Sequence, residues 1–359
     1  MVTKKMYFTK ELLQWNSKTN NRLMPWKGEK DPYKIWLSEI ILQQTRVEQG
    51  WDYYNRFVAA FSTIDKLASA SETKVFKLWE GLGYYTRCKN LIATAKFISK
   101  EYDGKFPDNY EAIFNLKGVG PYTAAAIASF AYNLPYAVVD GNVLRVLSRF
   151  FANNTAIDST AGKKIFTRLA NELLDKKKPG IYNQALMDFG AVLCKPKLPL
   201  CKQCPLQSNC GAYLKGLVDV LPVKEKKIIQ KTRWFFYFII EHNDKVYVRK
   251  RGAKDIWENL YEFVLIETPE ATEFDQLKKL AAFKTLFEKA TYAMETIFKL
   301  YSQKLTHQTI HGQFIKIKLK KKLEINGYQA VLQTKLAALP FPKLITTYLK
   351  DKNVSLNLL

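Results

Sequence analysis

The sequence predicts two domains of different class: a mainly α-helical domain over residues 1–217 and an α/β domain over residues 232–359, joined by a linker at 218–231. Amphipathic segments separated by short polar loops fill the first part of the chain. After Cys210 the pattern changes to a charged stretch with a proline, followed by runs rich in β-formers. A chain of 359 residues is long enough to bury two separate cores.

The composition favours a folded protein that binds a polyanion. Hydrophobic residues make up 47% of the chain, and the net charge is +23. Both halves carry this basic excess, so it does not reflect one disordered tail. Strong basicity points to nucleic acid as a partner, and a solvated lysine surface is the usual alternative that composition alone leaves open. No segment reaches the roughly 18 apolar residues that a membrane span needs, and the N-terminus lacks the apolar core of a signal peptide. We therefore expect a cytosolic protein.

Helices are expected throughout the first domain. Asp31 as N-cap and Pro32 in the first turn begin a helix that continues through YKIWLSEIILQQTRV. Asp108 and Glu111 have the spacing of a capping box at the start of another helix. Further helices are predicted at 51–61, 64–69, 73–80, 86–101, 108–116, 160–175 and 181–193.

The second domain is expected to contain a β-hairpin and a strand with one basic face. The runs WFFYFII and KVYVRKR flank a turn at residues 242–244, which predicts a hairpin. In FIKIKLK, isoleucine and leucine alternate with lysine, a pattern typical of a half-buried strand. A last helix is predicted at 341–350.

One stretch, LKGVGPYTAAAIASFAYNLPYAVVDGNVLRV, organises the first domain. Gly118 and Gly120 permit a tight turn with positive φ between two helical segments. The second helix is expected to start at Pro121 or Tyr122. Its first N–H groups would be unpaired above the glycines, where a phosphate oxygen fits. The stretch therefore predicts a helix, a hairpin and a helix.

Two carboxylates are candidate catalytic groups. Glu39 stands among apolar residues in the helix WLSEIILQQT, where desolvation raises the pKa of a carboxyl and suits it to be a general acid. Asp140 lies in a VVDGN turn about twenty residues after the glycines. Cleavage of an N-glycosidic bond needs one acid for the leaving base and one carboxylate for the oxocarbenium-like sugar. The alternatives are a Glu that reaches solvent from a helix edge and a turn Asp beside close-packed Ala and Gly helices.

Four of the five cysteines crowd into a short segment. Cys194, Cys201, Cys204 and Cys210 are separated by six, two and five residues. In a cytosolic protein such clustering indicates metal rather than disulfides. An iron–sulfur centre and a structural zinc are both open, but the presence of one Cys-x-x-Cys pair favours a 4Fe-4S cluster. Cys88 is left over and is expected to be a small buried hydrophobe.

The motifs LSEIILQQT, WEGLGYYTR, LKGVGPYTAAAI and VVDGNVLRV, with the cysteine spacing, together resemble the adenine DNA glycosylases of the MutY type, in the helix-hairpin-helix superfamily of endonuclease III. The resemblance extends over nearly the full length. It implies a mainly α, two-lobed glycosylase domain, with one lobe at 24–136 and the other formed by 1–23 and 137–217 around a 4Fe-4S cluster held by the four cysteines. It also implies double-stranded DNA with adenine opposite 8-oxoguanine or guanine as the partner, and a monomer in a bacterial cytoplasm, associated with the nucleoid through DNA.

The resemblance implies a division of catalytic roles. Glu39 would protonate adenine at N7, and Asp140 would stabilise the cationic sugar. Tyr122 and Asn142 would hold the carboxylates and water. Bifunctional relatives carry a Schiff-base lysine where this chain has Tyr122, so a monofunctional glycosylase is expected.

The resemblance also implies a set of DNA and adenine contacts. Gln44 and Tyr84 would enter the double helix where the adenine has left, which offsets the few kcal/mol that base extrusion costs. Trp26, Lys27 and Gln184 would line the adenine pocket. The full set assigned to DNA in the first domain is Gln44, Leu82, Tyr84, Gly118, Gly120, Trp26, Lys27 and Gln184.

The second domain resembles the MutT-like, Nudix-fold domain that MutY enzymes use to recognise 8-oxoguanine. Relatives often have Phe-Ser-His at the lesion-contacting turn, whereas this chain has Leu305, Thr306 and His307. The hydroxyl donor and the histidine are kept, and the aromatic contact is lost. The magnesium-binding glutamate pairs of a Nudix hydrolase do not follow Tyr261, so the domain is expected to be a reader of the lesion.

Two other functions stay open from the sequence. An endonuclease III-like glycosylase and lyase for oxidised pyrimidines would need the lysine that Tyr122 replaces. A non-catalytic lesion-binding protein would have no need of both Glu39 and Asp140.

Overall fold

The structure is a computed structural model that describes residues 2–225, 229–253, 255–288 and 290–351. Part of the expected linker, 226–228, and the end of the chain, 352–359, lie outside the described residues. The backbone contacts divide the chain into two compact units. The first comprises Met1–Ser69 and Lys89–Lys226, and the second comprises Ala70–Cys88 and Lys227–Leu359.

The chain up to residue 216 is helical. Its helices are α1 (Val2–Lys18), α2 (Pro32–Leu42), α3 (Val47–Ala60), α4 (Ile64–Ala68), α5 (Glu72–Trp79), α6 (Tyr85–Glu101), α7 (Tyr110–Phe114), α8 (Pro121–Tyr132), α9 (Gly141–Phe151), α10 (Thr160–Leu173), α11 (Pro179–Val192) and α12 (Gly211–Leu214). Each helix predicted from the sequence is present, with ends shifted by a few residues. None of the described helices is long and apolar enough to cross a bilayer.

Local chemistry explains where these helices begin. Asp31 caps α2 as predicted, and its side chain accepts a hydrogen bond from the Tyr33 N–H. The expected capping box at Asp108 and Glu111 is wrong. Asn109 is the N-cap of α7, and its side chain accepts from the Ala112 N–H, because the helix begins one residue later than the box requires.

A core of large side chains joins α1 to α9, α10 and α11. Phe8 of α1 packs on Phe150 of α9, with ring centroids 4.9 Å apart. Trp15 packs edge-on against Phe189 of α11 at 5.0 Å. The first helix of the chain is thereby linked to three helices that follow the glycine stretch in sequence, within the first unit.

The helix α8 packs closely because its side chains are small. The buried run from Ala124 to Ala128 lets α2 and α11 approach its backbone. On α11, a Cβ added at Gly180 would lie 2.6 Å from the Ser129 carbonyl oxygen. Glycine is therefore required at this helix crossing.

The second unit is built on one mixed sheet. Its strands are β1 (Lys231–His242), β2 (Lys245–Lys250), β3 (Tyr261–Thr268), β4 (Tyr292–Ile297), β5 (Tyr301–Lys304), β6 (Gln308–Leu319) and β7 (Gln329–Leu332). They are ordered β4-β6-β1-β3-β2-β7, and β5 also pairs with β6. The helices α13 (Phe274–Leu277) and α14 (Ala281–Phe287) pack on one face, and α15 (Lys343–Leu349) supplies Tyr348, which stacks on Phe314 of β6 at 3.9 Å.

The predicted hairpin is confirmed. Strands β1 and β2 pair in antiparallel fashion through Glu241 with Val246 and His242 with Lys245. The two residues between them, at 243 and 244, both have positive φ. This geometry is that of a two-residue turn whose twist matches the flanking strands.

The expected basic face of β6 is wrong at Lys316. This residue is 9% exposed, and its Nζ lies 3.3 Å from carboxyl oxygens of both Glu241 and Glu295. Its face of the sheet is covered rather than solvated, since Phe314 on the same face lies under α15. Lys318 is exposed, as the alternation predicted.

We predict that the α8–α11 crossing is intolerant of one added methyl group. Gly180→Ala forces the backbones of α8 and α11 apart and should lower the free energy of unfolding by about 1–3 kcal/mol. Gly141→Ala is the matched control, because a Cβ there meets no described atom within 4 Å. Urea denaturation followed by helical circular dichroism measures both. Equal midpoints for the two variants would contradict the packing described.

Candidate active site and DNA-binding elements

Glu39 lies in the middle of α2 and is 5% exposed. Its carboxyl accepts a hydrogen bond from the hydroxyl of Tyr122, in the first turn of α8. Burial raises the pKa of Glu39 to about 7. The bond from Tyr122 lowers this pKa, and the nearby charge of Asp140 raises it. The carboxyl therefore exchanges its proton near neutral pH, which a general acid requires.

Asp140 is the N-cap of α9, and its carboxylate is held by two hydrogen bonds. Oδ1 accepts from the Val143 N–H at 2.7 Å, and Oδ2 accepts from Asn142 Nδ2 at 2.7 Å. Burial raises the pKa of Asp140, whereas these hydrogen bonds and the Arg145 charge lower it. Burial is the largest of these effects, so the pKa of Asp140 stays above its ordinary value, although the hydrogen bonds and the arginine reduce the increase.

Arg145 connects this carboxylate cluster to the cysteine segment. Its Nη2 donates to Asn142 Oδ1 at 2.8 Å and to the Gly190 carbonyl at 2.8 Å, and its Nε donates to the Cys194 carbonyl at 2.7 Å. The sequence analysis missed this residue. The available signal was an arginine within the apolar run VLRVL, five residues after Asp140.

A pocket of about 190 Å³ opens beside Glu39. Its lining includes Trp26, Lys27 and Gln184, so all three residues expected around an adenine lie at the same cavity. The volume is below the roughly 300 Å³ at which drug-sized sites begin, which suits a single ring system. Ile181 contributes an apolar wall that is 52% exposed at the pocket.

The polar side of this pocket is organised by Asp188, which is fully buried. Its carboxylate accepts from Lys27 Nζ at 2.9 Å, Arg22 Nη1 at 2.8 Å, Gln184 Nε2 at 3.0 Å and Asn20 Nδ2 at 2.9 Å. The sequence analysis missed Asp188 as well. It stands four residues after Gln184 on one helix, the spacing at which side chains meet.

The glycine hairpin joins α7 to α8. Gly118 has φ +81°, and a Cβ there would lie 2.7 Å from Asn90 Cβ, so glycine is required on two grounds. The turn with positive φ that the two glycines permit is therefore made at Gly118, whereas Gly120 has φ −101° and serves as N-cap of α8. The space above Gly120 is open, which leaves the first N–H groups of α8 facing outward. This arrangement can bind an anion.

The second unit brings the WEGLGYYTR loop to the turn between β5 and β6. Tyr84 is 46% exposed with φ +49°, and its hydroxyl forms a hydrogen bond with the Thr306 hydroxyl. Leu82 is buried, so its side chain packs inside this loop. His307 is exposed, and its carbonyl accepts from the Lys231 N–H at 2.9 Å.

Gln44 belongs to the first unit, in the turn after α2. It has φ +56° and is exposed. The residue before it, Gln43, donates a weak hydrogen bond to Thr123 at 3.4 Å. The turn therefore presents Gln44 outward from the helix that carries Glu39.

The four clustered cysteines pack against the core of α1, α9 and α11. Cys194, Cys204 and Cys210 contact that core, and each of the four thiols is close enough to affect the charge of others. Among the described residues, no three His, Cys, Asp or Glu side chains approach closely enough to hold one metal ion. Four thiols that lie near one another are the type of donor that an iron–sulfur cluster takes. Cys88 is fully buried, as expected.

Family models match both parts of the chain. Residues 37–174 match the HhH-GPD superfamily of base excision DNA repair proteins, and residues 236–351 match the NUDIX domain. Among solved structures, a thermostable thymine-DNA glycosylase is 30% identical with a TM-score of 0.55, over 59% of this chain and 98% of that one. A non-covalent endonuclease III–DNA complex is 21% identical with a TM-score of 0.52, over 60% of this chain and 99% of that one, and supports the fold.

Two bacterial relatives match over most of their length, and a mammalian relative matches over less than half of its own. The adenine DNA glycosylase of Buchnera aphidicola subsp. Schizaphis graminum is 34% identical over 309 residues, which is 85% of each chain. That of Buchnera aphidicola subsp. Baizongia pistaciae is 36% identical over 72% of this chain and 73% of its own. The mouse adenine DNA glycosylase is 41% identical over 60% of this chain and 44% of its own. With the helical fold, the glycine hairpin and the Nudix-like sheet, these matches establish that the chain belongs to the adenine DNA glycosylase family of helix-hairpin-helix base-excision repair proteins.

Proposed function

We propose that this protein is a monofunctional DNA glycosylase that hydrolyses the N-glycosidic bond of adenine opposite 8-oxoguanine or guanine, acting as a monomer on duplex DNA in a bacterial cytoplasm. The observation that carries the proposal is the buried carboxyl of Glu39, whose pKa is raised to about 7 beside a pocket the size of one base. The relatives named adenine DNA glycosylase support adenine as the base.

In the proposed reaction Glu39 is the general acid. An adenine seated in the pocket would lie beside its carboxyl, which would protonate N7. The C1′–N9 bond then breaks with its electrons leaving on the base. A water oxygen bonds to C1′, and the proton that this water loses returns to the Glu39 carboxylate. The hydrogen bond from Tyr122 keeps the carboxyl in one orientation.

Asp140 would stabilise the positive charge that develops on the sugar. An ionised carboxylate suits this role, and the hydrogen bonds from Asn142 and the Val143 N–H favour ionisation. Glu39, with its pKa raised to about 7, keeps its proton in part of the population at neutral pH, whereas Asp140 has hydrogen-bond donors that favour its ionised form. This division resembles that of other glycosidic acid and base pairs.

Access to the pocket requires the adenine to leave the double helix. The N-terminus of α8 above Gly120 would bind a backbone phosphate, and Gln44 and Tyr84 would fill the gap left in the stack. Within the pocket, Asp188 orients the side chains of Lys27 and Gln184, whose remaining N–H groups would contact the base edge. The proposal therefore assigns binding and chemistry to different side chains.

The Nudix-like domain would read the base opposite the adenine. Thr306 shares a hydrogen bond with Tyr84, so the wedge residue and the reader turn belong to one unit. When DNA binds, the Thr306 hydroxyl would give up its hydrogen bond with Tyr84 and form one with 8-oxoguanine instead. With leucine at 305 in place of an aromatic residue, the discrimination would depend mainly on this hydroxyl.

Cys194, Cys201, Cys204 and Cys210 would hold a 4Fe-4S cluster. The cluster would supply a rigid, charged support for the segment between residues 194 and 210, and the proposed hydrolysis has no redox step that would use it. Arg149 is buried beside this segment, and its Nη1 donates to the Lys195 carbonyl at 2.8 Å. Arg149 and Arg145 thus hold the backbone at the start of the cysteine segment through hydrogen bonds to its carbonyl groups.

We predict that Glu39→Gln lowers the single-turnover rate of adenine release by at least about 100-fold, since it removes the general acid. Affinity for the duplex should stay within a few-fold, because the side chain keeps its volume. The assay is alkali-dependent strand cleavage with enzyme in excess. Glu48→Gln, an exposed acid on α3, is the matched control. Unchanged turnover in Glu39→Gln would remove this residue from the mechanism.

The pH dependence should follow the raised pKa of Glu39. Its protonated form is retained from the ordinary value of 4.5 up to about 7, so the activity that needs it is full below pH 7 and falls as the pH rises through that value. We expect the single-turnover rate to decrease about tenfold per pH unit well above the pKa. A rate that stays flat from about pH 6 to about pH 9 would contradict this assignment.

Lesion reading should depend on the hydroxyl at 306. Thr306→Val keeps the shape and removes the donor, and it should reduce the preference for adenine opposite 8-oxoguanine over adenine opposite guanine by about 5- to 30-fold, equivalent to one lost hydrogen bond. Thr309→Val on the adjoining strand is the control. The ratio of the two single-turnover rates is the measurement, and an unchanged ratio would remove Thr306 from lesion reading.

The monofunctional assignment has a separate test. Because Tyr122 stands where a Schiff-base lysine would be needed, borohydride should trap no stoichiometric covalent DNA adduct. Strand cleavage should require alkali. Efficient trapping, or cleavage without alkali at an oxidised pyrimidine, would instead support a glycosylase with lyase activity.

A further inference from the structure

The segment that leads to Asp140 has neither helical nor strand structure. It runs from residue 133, after α8, to residue 140, before α9. Backbone of this kind makes few hydrogen bonds within itself, so its position depends on outside partners. Asp140 is the last residue of this segment, and its carboxylate is the group that faces the sugar in the proposed reaction.

Asn183 of α11 clamps this segment through its side-chain amide. Nδ2 donates to the Tyr136 carbonyl at 2.8 Å, and Oδ1 accepts from the Val138 N–H at 3.1 Å. The second Nδ2 hydrogen goes to Ser129 Oγ of α8 at 2.9 Å. Asn183 is 1% exposed, so these bonds are shielded from water. One amide thus joins α11, α8 and the Asp140 segment.

The opposite side of the segment is fixed by an aromatic stack. The Tyr136 ring lies on the Tyr110 ring of α7, with centroids 4.1 Å apart and planes at 10°. Val138, whose N–H donates to Asn183, is buried and only 1% exposed. From Val138 to Asp140 is two residues, or roughly 7 Å of chain at most. Any shift of the clamped backbone is therefore transmitted to the carboxylate.

Gln184, the residue after Asn183 on α11, lies at the base pocket. Gln184 lines the base pocket and donates to Asp188, while Asn183 faces the Asp140 segment. Two consecutive side chains of one helix therefore determine the position of the base and the position of the acid. The close approach of Gly180 to the Ser129 carbonyl fixes the separation of α11 and α8 where they cross.

We infer that Asn183 is a positioning residue that sets the distance between Asp140 and the base pocket. This inference rests on the proposed glycosylase reaction and extends it to a residue that touches neither base nor sugar. Loss of the amide leaves the Tyr136 carbonyl and the Val138 N–H without their partner in a buried place. The segment then relaxes, and the carboxylate moves away from the developing charge.

The test compares Asn183→Ala with Ser129→Ala. Both remove hydrogen bonds of the same buried amide, but Ser129→Ala leaves the contacts with Tyr136 and Val138 intact. We expect Asn183→Ala to lower the single-turnover rate of adenine release by about 10- to 100-fold. Ser129→Ala should stay within about threefold, with a similar loss of thermal stability. Equal rates in the two variants would overturn the inference.

A second measurement distinguishes a loss of the electrostatic contribution of Asp140 from a general loss of stability. Duplexes carrying either a protonated pyrrolidine or a neutral tetrahydrofuran in place of the sugar differ in the positive charge that Asp140 would face. In Asn183→Ala the preference for the charged duplex should fall about tenfold relative to wild type, whereas Ser129→Ala should keep it. An unchanged preference in Asn183→Ala would mean that the residue has a structural role alone.

A replacement variant and a wild-type control separate failure of this inference from failure of the proposed function. Asn183→Ser retains a small polar group and replaces the alanine variant if that protein does not accumulate, with the same expected and contradicting results. Wild-type protein that releases no adenine would refute the proposed function itself. Active wild-type protein with an unaffected Asn183→Ala variant would refute this inference alone.

Discussion

The site depends on keeping one carboxyl group away from water. Glu39 is buried in α2, and desolvation raises its pKa to about 7 despite the hydrogen bond from Tyr122. The difference between the ordinary pKa of 4.5 and about 7 corresponds to roughly 3 kcal/mol of free energy that opposes ionisation of this carboxyl in the folded protein. Because the carboxyl still carries its proton near neutral pH, it can transfer that proton to the leaving base in the proposed reaction.

Close packing of α2, α8 and α11 produces this burial. The small side chains of α8 bring Tyr122 to the carboxyl, and glycine at the α8–α11 crossing brings the pocket wall to the same place. The second carboxylate arrives from a different direction, as the N-cap of α9, with its own donors. The two carboxyls lie in different local environments, because Glu39 accepts a hydrogen bond from Tyr122 and Asp140 accepts two from Asn142 and the Val143 N–H.

Features that depend on neighbours in sequence were predictable. The Asp31 cap, the two-residue turn between β1 and β2 and the glycine hairpin all follow from local backbone chemistry, and the family motifs led to Glu39 and Asp140. Features that depend on distant partners were not. Asp188 is held by Lys27, 161 residues away, and Asn183 meets the Ser129 side chain 54 residues away. Alternation in β6 could not reveal that Lys316 is buried beside Glu241 and Glu295. The choice of Asn109 over Asp108 as cap depends on a shift of one residue.

The most direct test of this account is the titration of the Glu39 carboxyl itself. Carbon-13 NMR of protein labelled at the glutamate side chains, assigned with Glu39→Gln, gives its midpoint in the free protein without any substrate. The account predicts a midpoint of about 7, well above the ordinary value of 4.5. A midpoint near 4.5 would mean that Glu39 is ionised at neutral pH and cannot be the acid that protonates the base.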